Sequence, residues 1–108
     1  MKICITSMGE TIDSQLDPRF GRCNYFIIYD TESTIYKVLK NVASNISHGA
    51  GIESVQTILK ENVDAVITGN LGPNALRALN TSNIKIMTNI SGTIKEVIEK
   101  IKNKEISF

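Results

Sequence analysis

Apolar residues in the first half of the chain fall into three short runs with strand-like spacing. Residues 2–6 alternate so that Ile3 and Ile5 share one face, which predicts a β-strand. Residues 25–29 are almost continuously apolar or aromatic, as in a buried strand, and residues 35–42 form a third run after a turn-like polar segment. The second and third runs therefore predict a β-hairpin.

The period of the apolar positions changes after residue 42. Ile52, Val55 and Ile58 recur at helical spacing, which predicts a first helix. The remaining apolar runs predict a strand, a helix, a strand and a helix at residues 63–68, 75–79, 84–87 and 94–101. Three strands followed by alternating helices and strands predict an α/β fold. We expect three layers, with helices on both faces of a five-stranded mixed sheet of order 3-2-1-4-5.

Length and composition limit the class of protein. The 108 residues predict a single domain, 1–108, and the 42% hydrophobic content suffices for a core without disulfides or structural metal. The formal net charge of +1 argues against nucleic acid or an anionic membrane as the partner. No segment has membrane-spanning length, and the first apolar run is too short for a signal peptide. We therefore expect a cytoplasmic protein with reduced cysteines.

The edge of the sheet where the parallel strands end, here called the rim, is the expected ligand site. Three glycine-marked segments should begin helices at the rim. Helix starts offer backbone N–H groups with partial positive charge, and glycine lets a ligand approach the backbone closely. The predicted anion-binding residues are Gly49, Ala50 and Gly51 at the first start, Gly72 and Asn74 at the second, Gly92 and Thr93 at the third, and Asn70 after the fourth strand.

A polar segment, residues 7–22, precedes the second strand. A loop of this length is uncommon in a compact domain and is usually functional or mobile. Its Arg19 and Arg22 are predicted to neutralise a bound anion, or to pair with Asp17 or Asp13 in the free protein.

Two further side chains are candidate metal ligands. Cys23 is a soft ligand suited to iron–sulfur chemistry, although an ordinary, partly buried thiol is the alternative. His48 precedes the first glycine-marked helix start, where its imidazole could bind a metal or simply lie on the surface. Cys4 lies in the middle of the first strand and is expected to be a buried structural residue.

The chain resembles the nitrogenase iron–molybdenum cofactor biosynthesis family of small cluster-binding or cluster-carrier proteins. The resemblance lies in the opening strand MKICITS, the loop LDPRFGRCNYFIIYD, the segment HGAGIESVQTILKENVDAVITGNLGPNALRAL and the closing GTIKEVIEKIKNKEI. The pieces DPRFGR and TGNLGPN are the most specific. The resemblance implies a ribonuclease-H-like fold and a stand-alone protein that takes an iron–sulfur or molybdenum-containing sulfide cluster from donor proteins to acceptor proteins.

Three functions remain open at this point. The first is a non-catalytic binder or carrier of an anionic metal–sulfur cluster. The second is a binder, sensor or enzyme for a small phosphorylated or nucleotide ligand, although the chain has no P-loop and no GxGxxG motif. The third is a protein-interaction module without a small ligand. A two-metal nuclease is disfavoured, because the first strand carries no carboxylate.

Overall fold

The computed structural model describes all residues, 1–108. Five strands and three helices follow one another in the predicted order. Their bounds are β1 (Lys2–Ser7), β2 (Tyr25–Asp30), β3 (Tyr36–Lys40), α1 (Ala50–Leu59), β4 (Ala65–Ile67), α2 (Pro73–Thr81), β5 (Lys85–Met87) and α3 (Ile94–Lys102). None of the three helices has the length and apolar composition needed to cross a membrane.

The five strands form one sheet of order β3-β2-β1-β4-β5, which confirms the predicted strand order. β2 pairs antiparallel with both β1 and β3, as a hairpin requires. β4 pairs parallel with β1 and β5, and Cys4 lies opposite Val66 in the centre of the sheet. The carboxyl ends of β1, β4 and β5 therefore meet at one edge, which is the rim.

The helices cover both faces of the sheet, so the predicted three-layer arrangement is confirmed. On one face, Val55 and Ile58 of α1 and Leu79 of α2 pack in one core cluster with the sheet. Ile94 and Val97 of α3 belong to a second cluster on the other face. The starts of α1 and α2 consequently lie on one side of the sheet, and the start of α3 lies on the other.

The long polar segment between β1 and β2 is held to the rest of the fold by backbone bridges. Leu16 bridges to Ser7 at the end of β1, and Arg19 bridges to Asn70 after β4. Leu16 itself is 5% exposed and belongs to the core cluster under α3. The segment is therefore built into the rim rather than free above it.

Candidate functional site

Two buried threonines at the strand ends fix the DPRFGR loop to the rim. The hydroxyl of Thr6, at the end of β1, donates to the backbone carbonyl of Asp17 at 2.6 Å. The hydroxyl of Thr68, after β4, lies 2.8 Å from the Thr6 hydroxyl and completes the chain of hydrogen bonds. The backbone N–H of Asp17 donates to the Thr6 carbonyl at 2.9 Å. Both strands thus hold the first residue of the loop.

The TGN segment after β4 contacts the same loop through its backbone. The N–H of Asn70 donates to the carbonyl of Pro18 at 2.6 Å, and the N–H of Phe20 donates to the carbonyl of Asn70. A Cβ atom on Gly69 would lie 2.6 Å from the Cα of Pro18. Only glycine permits this approach, so the two most specific sequence pieces form one structural unit.

The other end of the loop lies against the start of α1. A Cβ atom on Gly21 would stand 2.8 Å from the backbone nitrogen of Gly51. The loop, the start of α1 and the start of α2 enclose an open cavity of about 280 Å³, here called the helix-start cavity. Its lining consists of residues 20–22, 49–52 and 72–75. Arg22 is the only charged residue among them.

The first N–H groups of both helices at this cavity lack protein acceptors. The N-cap residues are Gly49, in the left-handed region at φ 76°, and Gly72, and neither position has a side chain to cap its helix. Pro73 has no N–H group, as suits the first position of α2. Unpaired N–H groups therefore remain on Ala50, Gly51, Ile52, Asn74 and Ala75. Helix starts of this kind favour bound anions.

The start of α3 is built in the opposite way. Thr93 is its N-cap, and the Thr93 hydroxyl accepts the N–H of Glu96 at 3.1 Å. The Glu96 carboxylate in turn accepts the N–H of Thr93 at 2.9 Å, which lowers the pKa of Glu96 below its ordinary value. The carbonyl of Gly92 accepts the N–H of Leu16. The structure thus places Gly92 and Thr93 outside the helix-start cavity, with a carboxylate of the chain already at that helix start.

The two arginines of the loop have different surroundings. Arg19 forms a salt bridge of 3.1 Å with Asp17, whose side chain is fully buried, and this contact raises the pKa of Arg19. The predicted pairing of Arg19 with Asp17 in the free protein is therefore present, and Arg19 is absent from the lining of the cavity. Arg22 lines the cavity and donates to three backbone carbonyls of residues 44–47.

The two candidate metal ligands do not meet. Cys23 is completely buried, and its thiol donates to the carbonyl of Phe20 at 3.2 Å. His48 is exposed beside the helix-start cavity, on a neighbouring cavity of about 430 Å³. No group of three or more His, Cys, Asp or Glu side chains anywhere in the chain has the arrangement of a metal-ion site. A ligand role for Cys23 stays a prediction that its burial argues against.

Burial also controls the ionisation of the two thiols. Removal from water, reinforced by the charge of Asp17, raises the pKa of Cys23 to about 12. Removal from water likewise raises the pKa of Cys4, which is fully buried as predicted. Both cysteines are consequently neutral thiols at physiological pH, and a thiol binds metal only after losing its proton.

Cys23 in the folded protein is expected to react with iodoacetamide at pH 8 at least about a thousandfold more slowly than a free thiol. A rise in pKa of this size reduces the thiolate fraction by roughly that factor, before shielding by the protein is counted. Mass spectrometry of the labelled peptide separates Cys23 from Cys4, and labelling in urea gives the unfolded rate. Labelling of folded Cys23 at the unfolded rate would show that the sulfur is accessible after all.

Asn70 and Asn74 lie in different places at the rim. Asn74 lines the helix-start cavity, whereas Asn70 lines a separate cavity of about 280 Å³ together with Leu76 of α2, Ile86 of β5 and residues that follow β4 and β5. The predicted rim site is therefore divided, and its first two helix starts share one cavity.

Sequence reasoning missed the roles of Thr6 and Thr68. Their signal was a threonine at the end of each of two neighbouring parallel strands.

The fold and this cavity define a small α/β protein whose sheet carries a glycine-lined cavity with unpaired backbone N–H groups at its rim. The chain belongs to the dinitrogenase iron-molybdenum cofactor family, whose model matches residues 1–104.

Comparisons with individual proteins agree with this assignment. An uncharacterised protein of Methanocaldococcus jannaschii is 31% identical over 103 residues, covering 92% of this chain and 87% of its own length. The apo form of the orange protein from Desulfovibrio gigas superimposes with a TM-score of 0.92 at 29% identity, covering 99% of this chain and 91% of that one. A Thermotoga protein described as a candidate NifB protein gives a TM-score of 0.82 at 34% identity, covering 94% and 87%.

Proposed function

We propose that this protein is a non-catalytic carrier that binds an anionic metal–sulfur cluster, or a precursor of one, in the helix-start cavity. One observation carries the proposal. The two helices that open onto the cavity lack capping side chains, whereas α3, which starts elsewhere, has a complete capping box. The name of the family, which refers to the iron–molybdenum cofactor of dinitrogenase, supplies the class of ligand.

The binding energy available in the cavity suits a carrier. Each helix start contributes about 0.3–1 kcal/mol to a nearby anion, and up to about 2 kcal/mol where the site is partly buried. Two starts alone therefore give millimolar binding at best. Arg22, the single cation of the lining, adds a charge-assisted contact. A protein that must pass its cargo from a donor protein to an acceptor protein benefits from contacts of this modest strength.

The side chains around the cavity determine how the cargo is held. The lining offers N–H groups and one guanidinium, but no thiolate and no carboxylate. The cluster therefore arrives with its metals already coordinated by sulfide or oxo groups, and those groups accept the hydrogen bonds. His48, exposed next to Gly49, is the one residue in position to add a protein ligand, and iron–sulfur and molybdenum-containing clusters remain the proposed cargo. Both thiols stay reduced in the cytoplasmic location that we propose.

Anaerobic titration with tetrathiomolybdate tests the proposal. We expect a shifted charge-transfer band in the visible spectrum, and we expect the molybdenum to elute with the protein from a gel-filtration column. Replacement of His48 by alanine should leave the fold intact, because the side chain is exposed, and a loss of affinity would assign it as a ligand. If neither tetrathiomolybdate nor an iron–sulfur cluster binds, the carrier function is wrong.

A small phosphorylated ligand is the second candidate, and the unpaired N–H groups of α1 and α2 are the observation in its favour. Phosphate at a helix start accepts the same hydrogen bonds as a sulfide-rich cluster. A rise in melting temperature with phosphate or a nucleotide, and none with metal–sulfur anions, would favour this alternative.

A further inference from the structure

Arg22 connects the helix-start cavity to the loop that leads into α1. Its Nη1 donates to the carbonyl of Ser44 at 3.2 Å and to the carbonyl of Ile46. Its Nη2 donates to the carbonyl of Ser47 at 3.4 Å. The Arg22 side chain thus donates hydrogen bonds to three backbone carbonyls of a segment that lies 22 to 25 residues further along the chain.

These bonds leave part of the guanidinium free. Arginine has five N–H donors in a fixed plane, and the three carbonyls accept hydrogen bonds from Nη1 and Nη2 alone. The Nε–H has no acceptor in the protein. Nε and Nη2 form one edge of the guanidinium, which is an edge used in bidentate binding to an anion.

We infer that Arg22 is a coupling residue, which binds an anion in the cavity with its free edge while its other edge holds residues 44–47. The inference rests on the proposed function and adds a regulatory consequence to it. The five N–H donors are enough for the three carbonyls and an anion together, so the two need not compete for the same hydrogens. Binding of cargo and ordering of the loop therefore reinforce each other, with a coupling that is equal in both directions.

Two physical effects produce this coupling. The carbonyls immobilise a side chain that is otherwise flexible, so less conformational entropy remains to be lost when the anion binds. Conversely, an anion on the free edge restrains Arg22 and strengthens its hold on the loop. The same loop borders the cavity of about 430 Å³ that is lined by Ile46 and His48. The shape of that surface thus depends on whether the carrier is loaded.

Hydrogen exchange of residues 44–48, measured with and without tetrathiomolybdate, tests the inference. We expect exchange to slow by roughly threefold to tenfold on binding, because about one hydrogen bond's worth of local stability is added. In Arg22→Lys, a single ammonium cannot serve three carbonyls and an anion together. The variant should therefore show loop exchange about tenfold faster without ligand, an affinity about tenfold lower, and no further protection on binding.

Arg77→Lys is the matched control, since Arg77 is exposed on α2 and lies outside the helix-start cavity. It should behave as the parent protein in both measurements. Inorganic phosphate, used in place of tetrathiomolybdate, shows whether the coupling responds to any anion or to metal–sulfur anions alone. Binding without protection of residues 44–48 would overturn the coupling and leave the carrier function standing. Unchanged loop exchange in unliganded Arg22→Lys would also overturn it. Failure of both anions to bind would overturn the coupling, and failure of an iron–sulfur cluster to bind as well would overturn the proposed function.

Discussion

Replacing Gly72 with aspartate is expected to stabilise the folded protein and to weaken binding in the helix-start cavity by about a hundredfold. Gly72 is the N-cap of α2, has the ordinary extended conformation of φ −71° and ψ 162°, and has open space where a Cβ would be placed. An aspartate there accepts the free N–H groups of the helix and restricts the unfolded chain. Together these effects should add about 1 kcal/mol to the free energy of unfolding, or roughly 4 °C in melting temperature.

The same carboxylate should reduce the affinity for tetrathiomolybdate by about a hundredfold. It takes up the N–H groups that the ligand needs, and each charge-assisted hydrogen bond contributes about 1.5–3 kcal/mol. Thermal unfolding and anaerobic titration measure the two effects on one sample. Gly72→Asn is the control for charge, because asparagine caps a helix without adding a negative group. A more stable Gly72→Asp protein with unchanged affinity would show that the ligand binds elsewhere.

The capped start of α3 is an internal control for the substitution at Gly72. Thr93→Ala should lower the free energy of unfolding by about 1 kcal/mol and leave the affinity unchanged, since its helix starts away from the cavity. One chain therefore holds a capped helix and two helices without side-chain caps. The two helices that begin at the helix-start cavity thus lack the stabilisation that a side-chain cap provides. Reduced local stability of this kind is common at functional sites.

The fold was predictable because apolar spacing alone separates strands from helices here. The strand order was predicted from the hairpin in the first half of the chain and the alternation of helices and strands after residue 42, and the sheet has that order. The errors lie at element ends. β4 covers only Ala65–Ile67 of the predicted 63–68, matching the three positions at which β1 pairs with it. β3 covers Tyr36–Lys40 of the predicted 35–42, which are the five positions at which it pairs with β2.

The site was predictable only in part, because its parts meet through tertiary contacts. Glycine at the starts of α1 and α2 correctly marked two helix starts, and these share one cavity. The third start could have been separated from them by the sequence Thr93-Ile-Lys-Glu96, which is the pattern of a capping box. The partners of Arg22 are backbone carbonyls more than twenty residues away, and no local pattern reveals such contacts.

Replacing Gly69 with alanine is expected to have the largest effect on stability of any glycine-to-alanine change in this rim. The new Cβ would lie 2.6 Å from the Cα and 2.9 Å from the carbonyl oxygen of Pro18, both backbone atoms that cannot move aside alone. Overpacking of this kind costs about 1–3 kcal/mol, and separating the Asn70–Pro18 hydrogen bond adds about 1 kcal/mol. We expect a loss of about 3 kcal/mol in the free energy of unfolding, measured by urea denaturation.

Gly72→Ala is the matched control for this change, because the same methyl group enters open space there. Alanine is a poorer N-cap than glycine, which lowers the free energy of unfolding by about 0.5–1 kcal/mol. Alanine also restricts the unfolded chain, which raises the free energy of unfolding by a similar amount, so the net change should be close to zero. Gly69→Ala should also weaken binding of tetrathiomolybdate, although Gly69 does not line the helix-start cavity. The DPRFGR loop must shift away from Gly69, and Gly21 and Arg22 at its other end shift with it. If Gly69→Ala were as stable as Gly72→Ala, the close contact of the two loops would not be what holds the cavity together.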